Sequence, residues 1–224
     1  MDWSEKTIVF DLDGTLIDSA PDLHAALVHC FSEKNLPAGS LDDIRGIIGQ
    51  GAKAMITLSA SLNDIDLNDE FLADLHKSFL DYYVGNIANL SRPYPGIMEA
   101  LDHAESRGAR LAVCTNKTQT LAERALIEIG LFDRFASVLG ADKASSKKPS
   151  PAHLEECVSL AGGKIEGAIM VGDSSPDGLS AEAAGIPFIF MTYGYADEAS
   201  KLLSPAASLE SAWDLPAAIQ RCFN

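Results

Sequence analysis

Apolar residues along this chain follow two rhythms. Ile8, Val9 and Phe10 stand in a row, a short run suited to a strand buried on both faces. Similar runs occur at Leu111–Cys114, at 168–171 and at 187–191, with a weaker one at 135–139. Between the runs the spacing changes to three and four. Leu23, Leu27, Cys30 and Phe31 predict a helix over 19–34, with Ser19 as N-cap and Pro21 in its first turn. Phe71, Leu75 and Phe79 mark one face of a helix over 68–83, widened by Leu72 and Tyr82 or Tyr83. Residues 40–60 read as one or two shorter helices broken around Gly46, Gly49 and Gly51. Later helices are expected at 96–107, at 119–129 ending on Gly130, at 151–161, at 175–184 ending on Gly185, and near 213–222.

No strong strand candidate lies between Asp18 and Arg92, whereas strands and helices alternate elsewhere. Alternation implies a parallel sheet with helices on both faces. The expected fold is therefore α/β: a doubly wound, Rossmann-like parallel-sheet core, residues 1–17 and 92–224, with an inserted all-helical domain, 18–91. Such sheets bind ligands beyond the carboxyl ends of their strands, at the topological switch point. The polar residues expected at those ends are Asp11 and Asp13, Thr115 and Asn116, and Asp173 and Asp177. An insert leaving from that edge is placed like a lid.

Composition adds exclusions. The 224 residues are 47% hydrophobic and 22% charged, with a formal charge of −15. That acidity argues against nucleic acid and anionic membranes as partners, and a phosphate substrate would need local cations. The four cysteines are widely spaced without a Cys-x-x-Cys pair, which reads as reduced thiols in a cytoplasmic protein. Polar residues 1–6 lead straight into the first strand, and neither a signal sequence nor an apolar run of transmembrane length is found. His24, His29, His76, His103 and His153 have no metal-ligand spacing, which argues against a zinc hydrolase or a histidine-nucleophile phosphatase.

The first strand runs into Asp11-Leu12-Asp13-Gly14-Thr15. If the strand continued through both aspartates they would point the same way. Paired carboxylates repel unless a cation lies between them or one is protonated. Oxygen-only ligation suits Mg²⁺, and a protonated carboxyl is a general acid. A plain strand-to-turn transition also uses Asp and Gly. A helix–loop–helix calcium loop does not fit, because Gly14 is fourth and Asp22 twelfth counting from Asp11. Gly49-Gln50-Gly51-Ala52-Lys53-Ala54 has the G-x-G-x-x-A pattern of a dinucleotide site but lacks the strand that must precede it. Taken singly, Thr115 could cap a helix, Lys148 could be a solvated lysine, and Asp177 could be first-turn charge favoured by the helix dipole.

Four segments together resemble the haloacid dehalogenase superfamily, in its magnesium-dependent phosphatase branch with a helical cap inserted after the first motif. They are Asp11-Leu-Asp13-Gly14-Thr15, then Thr115-Asn116, then Lys148 in Lys147-Lys148-Pro149-Ser150-Pro151, and finally Gly172-Asp173-Ser174-Ser175-Pro176-Asp177. The resemblance implies a phosphate monoesterase for a small phosphorylated metabolite, with Asp11 as nucleophile and Asp13 as general acid and base. It implies Mg²⁺ held by Asp11, the main-chain carbonyl of Asp13 and Asp173, with Asp177 binding through water or orienting the site. Thr115, Asn116 and Lys148 would grip the phosphoryl oxygens.

Arg45-Gly46-Ile47-Ile48-Gly49-Gln50-Gly51-Ala52 resembles the cap loop of phosphoglycolate phosphatase-like members, as do Tyr94-Pro95-Gly96 and Thr192-Tyr193-Gly194-Tyr195. Arg45, Gln50 and Lys53 are the cap residues expected to read the leaving group. A true dehalogenase or phosphonate hydrolase would lack the acid at Asp13. A phosphosugar mutase of the β-phosphoglucomutase kind keeps both acids and stays an alternative. A phospho-receiver domain shares an acid cluster with Thr and Lys, but the insert and the position of Lys148 before a helix argue against it. The chain is expected to act as a monomer or homodimer.

Overall fold

The computed structural model describes residues 2–224 and divides into two compact units. One comprises the chain up to Asp18 together with Pro93–Asn224, and the other is Ser19–Arg92.

In the first unit β1 (Thr7–Phe10) is buried along its whole length, as its unbroken apolar run requires. The two-residue β2 (Ile17–Asp18) lies where the chain leaves this unit. The helical unit follows, with α1 (Ala20–Ser32), α2 (Leu41–Ile44), α3 (Ala52–Leu62) and α4 (Asp69–Gly85). Its core gathers Leu27 and Phe31 from α1 with Leu75, Phe79 and Tyr83 from α4. Burying each such side chain stabilises by about 1.5–3 kcal/mol. Two starts are capped: Asn68 accepts from the Phe71 N–H ahead of α4, and Ser40 with Asp43 forms a reciprocal capping box at α2. Ser19 occupies the cap position of α1 but makes no side-chain cap bond, so Pro21 is the main local signal there. Buried Asp22 accepts from the Leu90 and Ser91 N–H groups and the Ser91 hydroxyl, tying the end of this unit to its beginning.

The two-residue β3 (Arg92–Pro93) marks the return. Then come α5 (Ile97–Ser106), β4 (Arg110–Thr115), α6 (Gln119–Ile129), β5 (Ser137–Gly140), α7 (Pro151–Leu160), β6 (Ala168–Gly172), α8 (Ser175–Ala184), β7 (Phe188–Met191), β8 (Ala207–Leu209) and α9 (Leu215–Cys222). The sheet order is β5-β4-β1-β6-β7-β8, and every pairing is parallel. The chain therefore winds outward from β1 through β4 to β5, then crosses to β6 and winds the other way. The switch point is the carboxyl end of β1, between β4 and β6.

Register brings the motifs to that point. Phe10 pairs with Val113 of β4 and Val171 of β6, so Thr115 and Asp173 each lie two residues beyond the rung where β1 ends. Strand β8 has no counterpart in the sequence reading, and the expected strand 135–139 begins two residues later.

Candidate active site

Strand β1 ends at Phe10. The Asp11 N–H still donates to the Val171 carbonyl at 2.9 Å, and the chain then turns, with the Leu16 and Ile17 N–H groups on the Leu12 carbonyl at 3.0 and 3.1 Å. The condition under which alternation would put both aspartates on one face, a strand running through them, is not met, because Asp13 lies inside the turn. Gly14 sits at φ +87°, and a β-carbon there would run into the Asp173 carboxylate. Only glycine serves on both counts.

Asp11 faces Lys148. The ammonium is 2% exposed, 2.8 Å from Asp11 Oδ1 and 2.6 Å from Asp177 Oδ1. The other Asp177 oxygen accepts from the N–H and hydroxyl of Ser174, at 3.1 and 2.8 Å, forming the capping box of α8. First-turn charge and site charge are thus one residue. Asp173 accepts from the Thr15 hydroxyl at 2.7 Å and from the Tyr195 N–H at 2.6 Å. Asp11, Asp173 and Asp177 can each offer an oxygen such that all three lie within 4.8 Å of one another.

This site is anion-loaded. Burial pushes the Asp11 carboxyl up to about 6; Lys148 opposes the rise, while Asp177 adds to it. Burial, then repulsion from Asp177 and Asp11, pushes Asp173 well above the usual carboxylate range. Burial alone would lower the Lys148 pKa, but Asp11 and Asp177 overcome it and raise it. Three carboxylates against one ammonium leave two negative charges, which a divalent cation would cancel. The all-oxygen donor set and this charge fit Mg²⁺.

Lys148 is held from behind. Its N–H donates to His153 Nδ1 at 3.2 Å, so Nε2 carries the imidazole hydrogen and donates to the Leu139 carbonyl at 3.1 Å. The Asn116 amide donates to the Lys148 carbonyl at 3.1 Å, next to a cis peptide bond to Pro149. His153 came from the sequence only as a histidine without metal spacing; its position five residues after the motif lysine, early in a helix, is the signal that marks it.

Burial, then repulsion by Lys148, pulls His153 down to about 4. The unfolded chain therefore takes up a proton near pH 6.5 that the folded chain refuses. The stability this contributes is complete above that pH and is lost as pH falls towards 4. Urea titrations from pH 7 to 4 should show His153→Gln losing less stability on acidification than the parent. Equal slopes would show that His153 titrates alike folded and unfolded.

Thr115 is buried, and its Oγ1 accepts from the Lys117 N–H at 3.1 Å. The N-cap position of α6 is Thr118, which makes no side-chain cap bond, and Thr115 lies three residues ahead of it, so Thr115 is not that helix's cap. Asp13, whose charge also raises the Asp11 pKa, pairs with Lys117, a residue the sequence reading did not select. Lys117 Nζ lies 2.9 and 3.0 Å from the two Asp13 oxygens. The segment after β7 closes the site from another side: the Tyr193 hydroxyl donates to the Thr15 carbonyl at 2.8 Å, and the Tyr195 hydroxyl to Asp18 Oδ1 at 2.6 Å. A β-carbon on Gly194 would collide with Asp173.

The remaining candidates belong to the helical unit. Arg45 opens a six-residue 3₁₀ turn, Arg45–Gln50, and is half-buried; Gln50 ends that turn exposed, and Lys53 is exposed in the first turn of α3. Lys34 and Lys77 are committed to Asp74 and Asp81.

A parallel sheet with an aspartate after its first strand, a threonine after the second and a lysine held on that aspartate defines a class. The chain belongs to the haloacid dehalogenase-like hydrolases, whose family profile matches residues 8–191. It is 38% identical over 217 residues to a phosphoglycolate phosphatase of Caulobacter vibrioides, covering 97% of this chain and 92% of that protein. It is 41% identical over 204 residues to a phosphoglycolate phosphatase of Mesorhizobium japonicum, covering 91% and 90%. Among solved structures, one described as a predicted phosphoglycolate phosphatase of Haemophilus somnus superposes with a TM-score of 0.88 at 29% identity, covering 98% of this chain and all of that one. Among the described residues no helix is long and apolar enough to cross a membrane.

Proposed function

We propose that this chain is a Mg²⁺-dependent phosphate monoesterase that works through an aspartyl-phosphate on Asp11, with phosphoglycolate as the first candidate substrate. The observation that carries the reading is Asp11, buried against Lys148 at the switch point and grouped with Asp173 and Asp177. The extent of identity to phosphoglycolate phosphatases favours a hydrolase over a mutase.

In the first half-reaction an Asp11 oxygen bonds to phosphorus as the bond to the leaving oxygen breaks, and Asp13 passes its proton to that oxygen, releasing an alcohol. In the second, water attacks phosphorus and the bond to Asp11 breaks. The water's proton returns to Asp13, leaving inorganic phosphate. Lys148 keeps Asp11 anionic and offers charge to the phosphoryl oxygens. Thr115 Oγ1 already accepts from Lys117 N–H, so its own proton is directed elsewhere, and the phosphoryl group is its proposed acceptor, beside the Asn116 N–H. Asp11, Asp173 and the Asp13 carbonyl would hold Mg²⁺, with Asp177 behind them. Bound there, the ion supplies positive charge that offsets repulsion between a carboxylate and a phosphate dianion. On their polarity, Arg45, Gln50 and Lys53 are the proposed readers of the leaving group. Four free thiols fit a cytoplasmic location.

The test is a panel of phosphate esters with Mg²⁺, including phosphoglycolate, sugar phosphates and nucleotides. The expected result is phosphate release with phosphoglycolate giving the highest kcat/KM. Isomerised sugar phosphate without free phosphate would replace the hydrolase reading with a mutase.

A further inference from the structure

We infer that Lys117 is the positioning residue for the proton-transfer step, fixing Asp13 by a two-point grip on its carboxylate. The inference rests on the reading of Asp13 as general acid and base. Strand geometry does not set the Asp13 side chain, because β1 has already ended. The fixing group comes from the neighbouring strand end: Lys117 Nζ reaches both Asp13 oxygens, with the lysine side chain 7% and the aspartate 15% exposed. An ion pair so little exposed is less screened by solvent and less free to come apart than a surface pair.

The base of the lysine is itself anchored. Its N–H donates to Thr115 Oγ1, and its carbonyl accepts from the Ala141 N–H at 3.0 Å. The next turn is locked to β5: the Gln119 amide oxygen accepts from the Gly140 N–H at 2.7 Å, and its NH₂ donates to the Val138 carbonyl at 2.8 Å. A β-carbon on Gly140 would strike the Gln119 backbone, so the two segments touch main chain to main chain. Lys117 therefore projects from a rigid corner, and Asp13 is held by that corner. The two residues are 104 positions apart, and only the β1–β4 register brings them together. Lys148 serves Asp11 and Asp177 instead, so the site has two lysines with separate tasks.

In the first half-reaction, which kcat/KM reports, a group that positions the acid should matter only where the leaving group needs a proton. The second half-reaction uses Asp13 as base for every ester and lowers kcat alike on all of them where it limits turnover. The alkoxide of an alkyl ester needs one; the phenolate of p-nitrophenyl phosphate leaves without one. Lys117→Met should lower kcat/KM on the fastest alkyl phosphate by about 10- to 100-fold, within the range of coupled neighbouring residues. On p-nitrophenyl phosphate kcat/KM should change less than about threefold. Lys117→Arg should restore part of the loss. A fall in kcat/KM of the same factor on both esters, or none on the alkyl ester, would overturn the inference. If Lys117→Met does not fold by its thermal transition, Lys117→Gln is read against the same criteria.

Asp13→Asn run alongside separates this inference from its premise. If that variant loses kcat/KM equally on both esters, the acid role of Asp13 fails. If it shows the leaving-group split and Lys117→Met does not, only the role of Lys117 fails. Adding Lys117→Met to Asp13→Asn should cost nothing further on the alkyl ester.

Discussion

Asp11→Asn should lose turnover by roughly 10⁴-fold or more, as removal of a covalent nucleophile does elsewhere, while the fold survives. Asparagine has the shape of aspartate, so the turn from Leu12 to Ile17 and the main-chain bond to Val171 remain. Lys148 keeps Asp177 at 2.6 Å and is not left as an unpaired buried charge. The change also removes one member of a crowded set of anions, which offsets the loss of the Lys148 contact. What disappears is an oxygen able to bond phosphorus. Steady-state kinetics on the best ester, with a thermal transition to report folding, make the measurement. Activity within tenfold of the parent would remove Asp11 as nucleophile.

Mg²⁺ should raise the thermal midpoint of the parent protein, and Asp173→Asn should abolish that rise. Asp11, Asp173 and Asp177 are buried with Lys148 on Asp11 and Asp177, and burial and mutual repulsion push Asp11 and Asp173 towards protonation. A cation that binds there relieves an existing strain as well as adding ligand bonds. At a concentration about 100 times its dissociation constant, binding contributes about 2.7 kcal/mol. For a protein of this size that is a rise of roughly 5–10 °C. Asp173→Asn deletes a charged oxygen and sets an NH₂ against the Thr15 hydroxyl or the Tyr195 N–H, both of which now donate to this residue. Its midpoint in chelator carries that cost together with the relief of repulsion, so the informative quantity is the difference with and without Mg²⁺. A Mg²⁺-dependent rise in Asp173→Asn equal to that of the parent would place the ion elsewhere.

Much of the core was legible in the sequence because its signals are local. Unbroken apolar runs such as Ile8–Phe10 and Leu111–Cys114 belong to strands covered on both faces, and each run ends at the residue that enters the site. Gly130 and Gly185 close α6 and α8 in the left-handed conformation, as their places after apolar periods suggested. Strand β8 was hidden because it has three residues, of which only Leu209 is fully buried, so it carries no pattern. Strand alternation could not decide whether Asp11 and Asp13 share a face, because β1 ends at Phe10, ahead of both aspartates. Lys117 and His153 were missed for a different reason. Their partners are set by tertiary register: Asp13 across the β1–β4 rung, and the Lys148 N–H with the Leu139 carbonyl around α7. A lysine directly after Thr115-Asn116 looks like ordinary surface charge until β4 is laid beside β1.

The most direct test of a covalent path through Asp11 is to catch the intermediate. Enzyme mixed with Mg²⁺ and the best phosphate ester, acid-quenched within a single turnover and digested, should yield one peptide heavier by a phosphoryl group, with the phosphate on Asp11. The modified fraction should rise with release of the alcohol and decay as phosphate appears. Alcohol released in a full turnover with no phosphorylated peptide, or with the phosphate on another residue, would contradict the account.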